Sequence, residues 1–230
     1  YEKDPAKRYK MFTTIPRPEG DGFKPAIYYS ADGIHWGKPL IVGGGIGDRT
    51  TIFYNPFRHR WVYSIRSLIE PWGRSRRYME CTDLVEGMRD IGKDSCLWLT
   101  ADRLDPRNPN PELKDTEPQL YNLDVFPYES LLVGLFSIWQ GKPKGEVEKR
   151  NEILVGYTRD GFHWHRPYRR PFAGVNETDG AWNWANVQSC ASGCLVMGDQ
   201  LYFYLSGRGR TGEPASTGLA VLRRDGFVSM

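Results

Sequence analysis

Two stretches of the 230-residue sequence place acidic side chains where they could stabilise charge or move protons. Asp48 comes shortly before a strand-like apolar run, residues 51–54, and Arg49 follows it directly. A guanidinium beside a carboxyl group favours the ionised form of that group. Asp48 is therefore a candidate catalytic carboxylate and Arg49 a candidate substrate-binding residue, the alternative for Asp48 being the capping of a turn. The second stretch, residues 80–84, contains Glu80, which is the other candidate catalytic carboxylate.

A further group of candidates lies between residues 119 and 188. Asp124 and Glu129 lead into the apolar run 131–136, and we predict that both bind substrate, the alternative being a polar loop. An indole ring offers a flat apolar surface to a sugar ring, and an amide can donate to and accept from hydroxyl groups. Trp182 and Asn183 are therefore candidate substrate-binding residues, with burial between sheets as the alternative for the ring.

The elements that must position these residues contain a repeat. Residues 28–39 and 156–167 share the pattern aromatic, Ser/Thr, any residue, Asp-Gly, apolar, His-Trp, two residues, Pro. Asp-Gly between strand-like runs predicts a hairpin turn, because Gly tolerates a positive φ. The histidines occupy equivalent positions in both copies, which favours a structural role over metal binding. Residues 222–227, with Asp225 at the Asp position, form a third and shorter copy, and residues 78–84, with Asp83 there, form a degenerate copy.

The repeat, together with short strand-like runs between Gly and Pro, predicts an all-β fold. Aromatic residues make up 13% of the chain, beside 25 Gly and 16 Pro, a composition that favours short strands joined by tight turns. The spacing of the copies fits propeller blades of about 40–50 residues with insertions. We therefore predict a β-propeller in which residues 1–230 form a single domain of about four blades. A sandwich is disfavoured, since its strands rarely repeat one turn motif.

Charge and hydropathy exclude two classes of partner. The sequence has 31 Lys and Arg residues against 28 Asp and Glu residues, and the net charge of +3 is too small to indicate a nucleic-acid surface. No run of about 18 apolar residues is present, which predicts no membrane span. Cys190 and Cys194 either form a disulfide bond across a short turn or remain free thiols.

Two motifs resemble those of known glycoside hydrolases. Residues 48–63, an Asp followed by an aromatic residue and a Trp-Val pair, resemble a stretch of glycoside hydrolase families 32 and 43. Residues 80–84, Glu-Cys-Thr-Asp-Leu, resemble the family 32 segment Glu-Cys-Pro-Asp-Leu, whose Glu is the general acid. This chain has Asp48-Arg49 where family 32 has Arg-Asp-Pro, and Thr82 replaces the Pro of the second motif.

The resemblance implies a five-bladed propeller that cleaves glycosidic bonds of a polysaccharide or oligosaccharide, with its N-terminal blade missing from this chain. Glu80 would be the general acid, its pKa raised in a low-polarity channel lined by carboxylates, and Asp48 would stabilise the charged transition state. Glu129 would replace Glu80 if that side chain faces away. The third carboxylate of these families belongs to a first-blade motif, to which Asp4 is the nearest match.

Two other functions remain open: a non-catalytic carbohydrate-binding propeller, favoured by the missing first-blade motif, and a propeller that binds proteins. No His-rich metal set is visible, so we predict no cofactor, while a structural cation in the channel stays open. The expected partner is a carbohydrate. The resemblance also implies an extracellular or periplasmic location.

Overall fold

The computed structural model describes residues 2–18, 22–141, 150–189, 193–210 and 213–227. The chain forms two compact units. Unit 1 comprises Tyr1–Ser67 and Arg77–Leu97, and unit 2 comprises Leu68–Arg76 and Trp98–Met230. Strands dominate the described residues, and the predicted all-β class is confirmed. None of the helices in this part of the chain is long and apolar enough to cross a membrane.

The first two sheets follow the order of the sequence. Strands β1 to β3 form an antiparallel sheet in chain order, and β4 to β7 form a second sheet in chain order. The strands are β1 Tyr9–Pro16, β2 Phe23–Ser30, β3 Ile41–Val42, β4 Thr51–Asn55, β5 Arg60–Ile69, β6 Gly73–Cys81 and β7 Cys96–Leu99. The connection between β4 and β5, residues 56–59, is short, as expected at an Asn-Pro turn.

One short α-helix, α1 (Leu84–Arg89), follows β6. The Asp83 side chain caps its N-terminus by accepting hydrogen bonds from the backbone N–H groups of Val85 at 2.8 Å and Glu86 at 2.9 Å. Asp is a favoured N-cap because its carboxylate satisfies N–H groups that have no partner inside the helix. The interpretation of Asp83 as a degenerate copy of the Asp-Gly hairpin is therefore wrong, because this residue begins a helix.

The third sheet has seven strands, with order β12-β13-β11-β10-β9-β8 and β14 paired to β13. Its strands are β8 Gln119–Tyr128, β9 Leu131–Trp139, β10 Asn151–Thr158, β11 Asn186–Ser189, β12 Leu195–Met197, β13 Gln200–Arg208 and β14 Ala215–Arg223. The pair β10–β11 is parallel, whereas the neighbouring pairs are antiparallel. A buried apolar cluster that includes Phe126, Leu135, Ile153 and Phe203 forms the core beside this sheet.

The two copies of the repeat fold alike. In the turn at residues 30–36, Asp32 Oδ1 accepts from two backbone N–H groups at 2.9 and 2.8 Å, and Oδ2 lies 2.7 Å from His35 Nδ1. Asp160 makes the same contacts in the turn at residues 158–164, at 2.8, 2.8 and 2.5 Å. The histidine contact is the largest cause that lowers the pKa of each aspartate. This geometry supports the predicted structural role of the two histidines.

The tryptophan of each copy also has an equivalent contact. Trp36 Nε1 donates to the Gly33 carbonyl and Trp164 Nε1 to the Gly161 carbonyl, both at 3.1 Å. Trp164 packs so closely on Gly134 that a Cβ there would lie 2.6 Å from the indole ring. Glycine at this position of β9 is therefore required for the ring to pack against the sheet.

The Pro-rich stretch 102–118 is irregular apart from a single 3₁₀ turn at Pro111–Leu113. Asp105 anchors this stretch through its side chain, which is completely buried. Arg166 donates both terminal nitrogens to this carboxylate, and Arg169 donates one more at 3.0 Å. The Arg166 guanidinium also lies 4.3 Å from the Phe136 ring centroid. A buried charge is tolerated only with such partners.

Candidate functional site

Asp48 lies three residues before β4 and beside β5. Its Oδ1 atom lies 3.0 Å from Arg66 Nη1, and the Asp48 side chain is 34% exposed. The sheet register explains the pairing, because Thr51 lies opposite Ser64 and the chain before β4 therefore runs alongside the residues that follow Ser64 in β5. Oδ1 is buried, so Oδ2 is the oxygen that a ligand can reach. Asp48 is thus a partly exposed carboxylate held in place by a cation.

A cavity of about 390 Å³ opens next to this ion pair, within unit 1. Gly47, the chain neighbour of Asp48, and Arg66, its ion-pair partner, both line this cavity. Two further arginines, Arg17 and Arg77, also line it, and Arg77 Nε donates to the Ser95 hydroxyl at 2.8 Å. Its volume lies within the range of about 300–1,000 Å³ that is usual for small-molecule sites.

Arg66 is the cation that reasoning from the sequence missed. The sequence predicted that Arg49, the chain neighbour of Asp48, would hold this carboxylate. In the structure Arg66, from the next strand, supplies the ion pair, and Arg49 has a left-handed backbone with φ 59°. A non-glycine residue with positive φ is uncommon. The predicted binding of substrate by Arg49 stays a prediction.

Glu80 lies at the end of β6 in a closed set of hydrogen bonds. Arg58 donates to both of its oxygens, from Nε at 3.1 Å and from Nη2 at 2.8 Å, and the Tyr78 hydroxyl donates at 2.5 Å. The Arg58 hydrogen bonds are the largest cause that lowers the pKa of Glu80. The sequence-based expectation of a raised pKa is therefore wrong, because a cation and a phenol stabilise the carboxylate form.

The structure does not bring Asp48 and Glu80 together. The ion pair of Asp48 with Arg66 lies beyond the open end of the β4–β5 hairpin. Arg58, the partner of Glu80, lies in the turn that closes the other end of this hairpin. The paired rows from Thr51 to Asn55 alone span at least about 13 Å of strand. The two carboxyl groups of a glycosidase lie about 5–10 Å apart, so these two do not form such a pair.

Asp124 is buried in unit 2 within a chain of polar side chains. Arg76 Nη2 donates to Asn122 Oδ1 at 2.8 Å, and Asn122 Nδ2 donates to Asp124 Oδ2 at 2.9 Å. All three side chains are at most 1% exposed. Asp124 is therefore not open to a ligand in this conformation, and the hydrogen-bonded chain joins a buried cation to a buried anion. Its predicted contact with substrate stays a prediction.

Glu129 lies away from Asp124, although both residues were predicted to bind substrate. It follows the last residue of β8, five positions beyond Asp124, which is about 16 Å along an extended strand. Its backbone φ is 49°, and its carboxylate lies 3.5 Å from Arg224 Nη2. Glu129 lines a second cavity in unit 2. Glu129 therefore lies at a cavity and not in the buried chain of polar side chains that contains Asp124.

Trp182 and Asn183 precede β11. The Trp182 ring lies on two glycines, where a Cβ at Gly207 or at Gly218 would be 2.4 Å from ring atoms. The indole is still 40% exposed. One face is thus packed on backbone while part of the ring is open to solvent, an arrangement that suits the predicted platform. Asn183 Nδ2 donates to the Gly174 carbonyl at 3.2 Å.

The described part of the chain shows neither a cluster of metal-ligating side chains nor a disulfide bond. No three His, Cys, Asp or Glu side chains of those residues converge in a way that could hold a metal ion. Cys81, Cys96 and Cys194 carry free thiols, and Cys190 lies outside the described residues. Burial raises the pKa of the Cys81 and Cys194 thiols, which disfavours the reactive thiolate.

The chain has the fold of enzymes that act on glycosidic bonds, as comparison with solved structures shows. A mannose phosphorylase from Leishmania mexicana in complex with a phosphate ion is 9% identical, with a TM-score of 0.55, over 96% of this chain and 69% of that one. A GH32 β-fructofuranosidase from Bombyx mori is 12% identical, with a TM-score of 0.52, over 93% of this chain and 43% of that one.

A β-1,2-mannobiose phosphorylase from Listeria innocua is 12% identical, with a TM-score of 0.50, over 88% of this chain and 49% of that one. The chain therefore spans about half the length of two of these neighbours. No protein-family model matches the chain, and no curated protein matches it in sequence. The resemblance to glycoside hydrolases inferred from the motifs is confirmed at the level of the fold.

Proposed function

We propose that this protein binds a carbohydrate and cleaves a glycosidic bond, with Asp48 as the carboxylate that faces the reacting sugar. The observation that carries the proposal is the partly exposed Asp48 carboxylate, paired with Arg66 beside a cavity of about 390 Å³. Cleavage passes through an oxocarbenium-like transition state, which a fixed negative charge stabilises. Arg66 orients Asp48 through Oδ1 and leaves Oδ2 for the substrate.

The acceptor of the glycosyl group is either water or phosphate. In hydrolysis the glycosidic C–O bond breaks, a water oxygen bonds to the anomeric carbon, and the leaving oxygen gains the proton that the water loses. In phosphorolysis a phosphate oxygen takes the place of the water oxygen, and the proton comes from the phosphate. Two of the neighbours in fold are phosphorylases, and one is a β-fructofuranosidase. Sucrose and β-1,2-mannobiose, each with and without phosphate, are therefore the first substrates to test.

The test measures release of monosaccharide or sugar phosphate from these substrates and from 4-nitrophenyl glycosides. Asp48→Asn keeps the size of the side chain but removes its charge, and we expect turnover to fall by at least about 100-fold. Glu80→Gln is the matched control, since the Glu80 carboxylate is held by Arg58, and we expect it to retain turnover. Equal turnover in wild type and Asp48→Asn would refute the role of Asp48.

A carbohydrate-binding protein without cleavage is the second candidate. It is favoured by Glu80, because the residue that motif resemblance marks as the acid has a lowered pKa. A group with a lowered pKa is a poor proton donor near neutral pH. Binding of these sugars by the wild type without any product would support this candidate and contradict cleavage.

We further propose that the sheets are blades of a five-bladed propeller of the type found in family 32, with about four blades in this chain. The support is the pair of matching turns at Asp32 and Asp160 and the order of strands β4 to β7, which is also the chain order. By the resemblance to family 32 alone, the proposed place of action is extracellular or periplasmic. Small-angle scattering of the protein tests the propeller shape.

A further inference from the structure

A second cavity of about 390 Å³ lies wholly within unit 2, at the turn between β8 and β9. None of its lining residues belongs to the unit that contains Asp48. Most of its lining surface is apolar and aromatic. The residues that the argument uses are Tyr128, Glu129, Tyr157, Tyr168, Asp225 and Phe227.

Two aromatic rings of this cavity pack against neighbouring rings. The Tyr157 ring is stacked on His165, with centroids 5.5 Å apart and an angle of 18° between the planes. Tyr128 meets Phe227 edge to face, with centroids 5.1 Å apart. Tyr168 is more than half exposed at the rim of the cavity. The cavity therefore has aromatic walls with ring contacts of their own, and Tyr168 adds one largely exposed ring.

Two carboxylates provide the polar side of the same cavity. Asp225 Oδ1 accepts a hydrogen bond from the Tyr128 hydroxyl at 2.5 Å. Glu129 lies 3.5 Å from Arg224 and is 65% exposed, so most of its hydrogen-bonding capacity faces solvent. Both residues have a left-handed backbone, with φ 49° for Glu129 and 59° for Asp225. The turn holds each carboxyl group at the edge of an aromatic surface.

A neutral sugar ring fits this combination of surfaces. One face of a pyranose exposes C–H groups, which pack on an aromatic ring, while its rim carries hydroxyl groups that donate to carboxylates. A quaternary ammonium ion also binds to aromatic rings and acids. Here Glu129 already has a cationic partner in Arg224, and one oxygen of Asp225 already accepts from the Tyr128 hydroxyl, which favours the neutral ligand.

We propose that this cavity is a carbohydrate-binding site for a neutral hexopyranose unit, separate from the bond-cleaving chemistry at Asp48. It would hold a glycan chain to the protein through Tyr168 and Tyr157, with Glu129 and Asp225 receiving hydroxyl groups. The inference does not rest on cleavage, because binding at these rings requires no catalytic carboxylate.

The test measures binding of free glucose, galactose and mannose, which contain no glycosidic bond, to the full chain by saturation-transfer NMR and calorimetry. Tyr168→Ala removes the exposed ring, and we expect the dissociation constant of at least one hexose to rise at least tenfold. Tyr168→Phe keeps the ring and should retain binding. Tyr204→Ala, which removes a similarly exposed tyrosine from β13 outside the cavity, is the matched control.

The outcomes separate the proposal from its rivals. Binding that depends on Tyr168 and persists in Asp48→Asn supports the site even if no substrate is cleaved. Hexose binding that is absent, or equally strong in wild type and Tyr168→Ala, would overturn it. Tighter and Tyr168-dependent binding of choline would overturn the neutral-sugar assignment and identify a cation site. Thermal unfolding of each variant verifies that the fold is intact.

Discussion

Removing the Asp105 side chain should destabilise unit 2 far more than removing the neighbouring Asp102 side chain. Asp105 is fully buried and accepts hydrogen bonds from Arg166 and Arg169. Asp105→Ala removes the hydrogen-bonded carboxylate of the Arg166 guanidinium, whose side chain is 5% exposed, and leaves it the longer contact with Asp102 at 3.7 Å. Loss of one partner of a buried ion pair costs about 3–5 kcal/mol, because the other charge stays away from water.

Asp102 provides the matched comparison within the same network. It also pairs with Arg169, at 2.9 Å, but its side chain is 46% exposed. Water can replace this partner, so Asp102→Ala should cost at most about 1 kcal/mol. The difference between the two variants should therefore be about 2–4 kcal/mol, a large part of the stability of a typical domain.

Urea unfolding of the full chain, followed by tryptophan fluorescence, measures both free energies. Hydrogen exchange at residues 102–118 adds a local measurement. Exchange should accelerate there only in Asp105→Ala, because only this variant removes the buried ion pair with Arg166 that anchors the stretch. Equal and small losses of stability in the two variants would refute the reasoning, because burial would then not determine the strength of the pair.

Two further predictions concern unit 1 and the tryptophan platform. Because Arg58 lowers the pKa of Glu80, this pair stabilises the fold above the unfolded pKa of about 4.3, and the contribution is lost as the pH falls through the folded value. Glu80→Gln should therefore show a shallower loss of stability between pH 6 and pH 3 in urea unfolding, and curves parallel to those of the wild type would contradict this. Gly207→Ala places a Cβ 2.4 Å from Trp182 and should lower the free energy of unfolding by about 1–3 kcal/mol through overpacking. Gly44→Ala, with open space around it, is the control and should lower it less. Equal thermal stability of the two variants would argue against the packed ring.

Local features could be predicted from the sequence because their causes are local. The Asp-Gly turns at residues 32 and 160 fold alike since each contains its own hydrogen-bond partners within four residues. The all-β class followed from short apolar runs between Gly and Pro.

Contacts between strands were beyond the reach of the sequence. The pairing of Asp48 with Arg66 depends on the register of β4 on β5, and a shift of one residue would direct these side chains to other faces. Glu80 shows the same limit. Its motif resembles that of a general acid, yet Arg58, 22 positions earlier, sets its electrostatic environment.

The second cavity of unit 2 illustrates the limit most clearly. Glu129, Tyr157, Tyr168 and Asp225 are spread over nearly a hundred positions of sequence and meet only through sheet topology. The structure shows Glu129 with a positive φ in the two-residue turn between β8 and β9, where such a residue is normally Gly or Asn. A residue type that contradicts local preference is a useful marker of a functional position.

The central claim is that the Asp48 carboxylate acts on the reacting sugar, and chemical rescue tests it most directly. Asp48→Ala removes the carboxylate and leaves a space beside Arg66 that a formate ion can enter. The account predicts that release of sugar from the substrate of the wild type is lost in Asp48→Ala and rises again with formate concentration. Turnover by Asp48→Ala at the rate of the wild type, without formate, would contradict it.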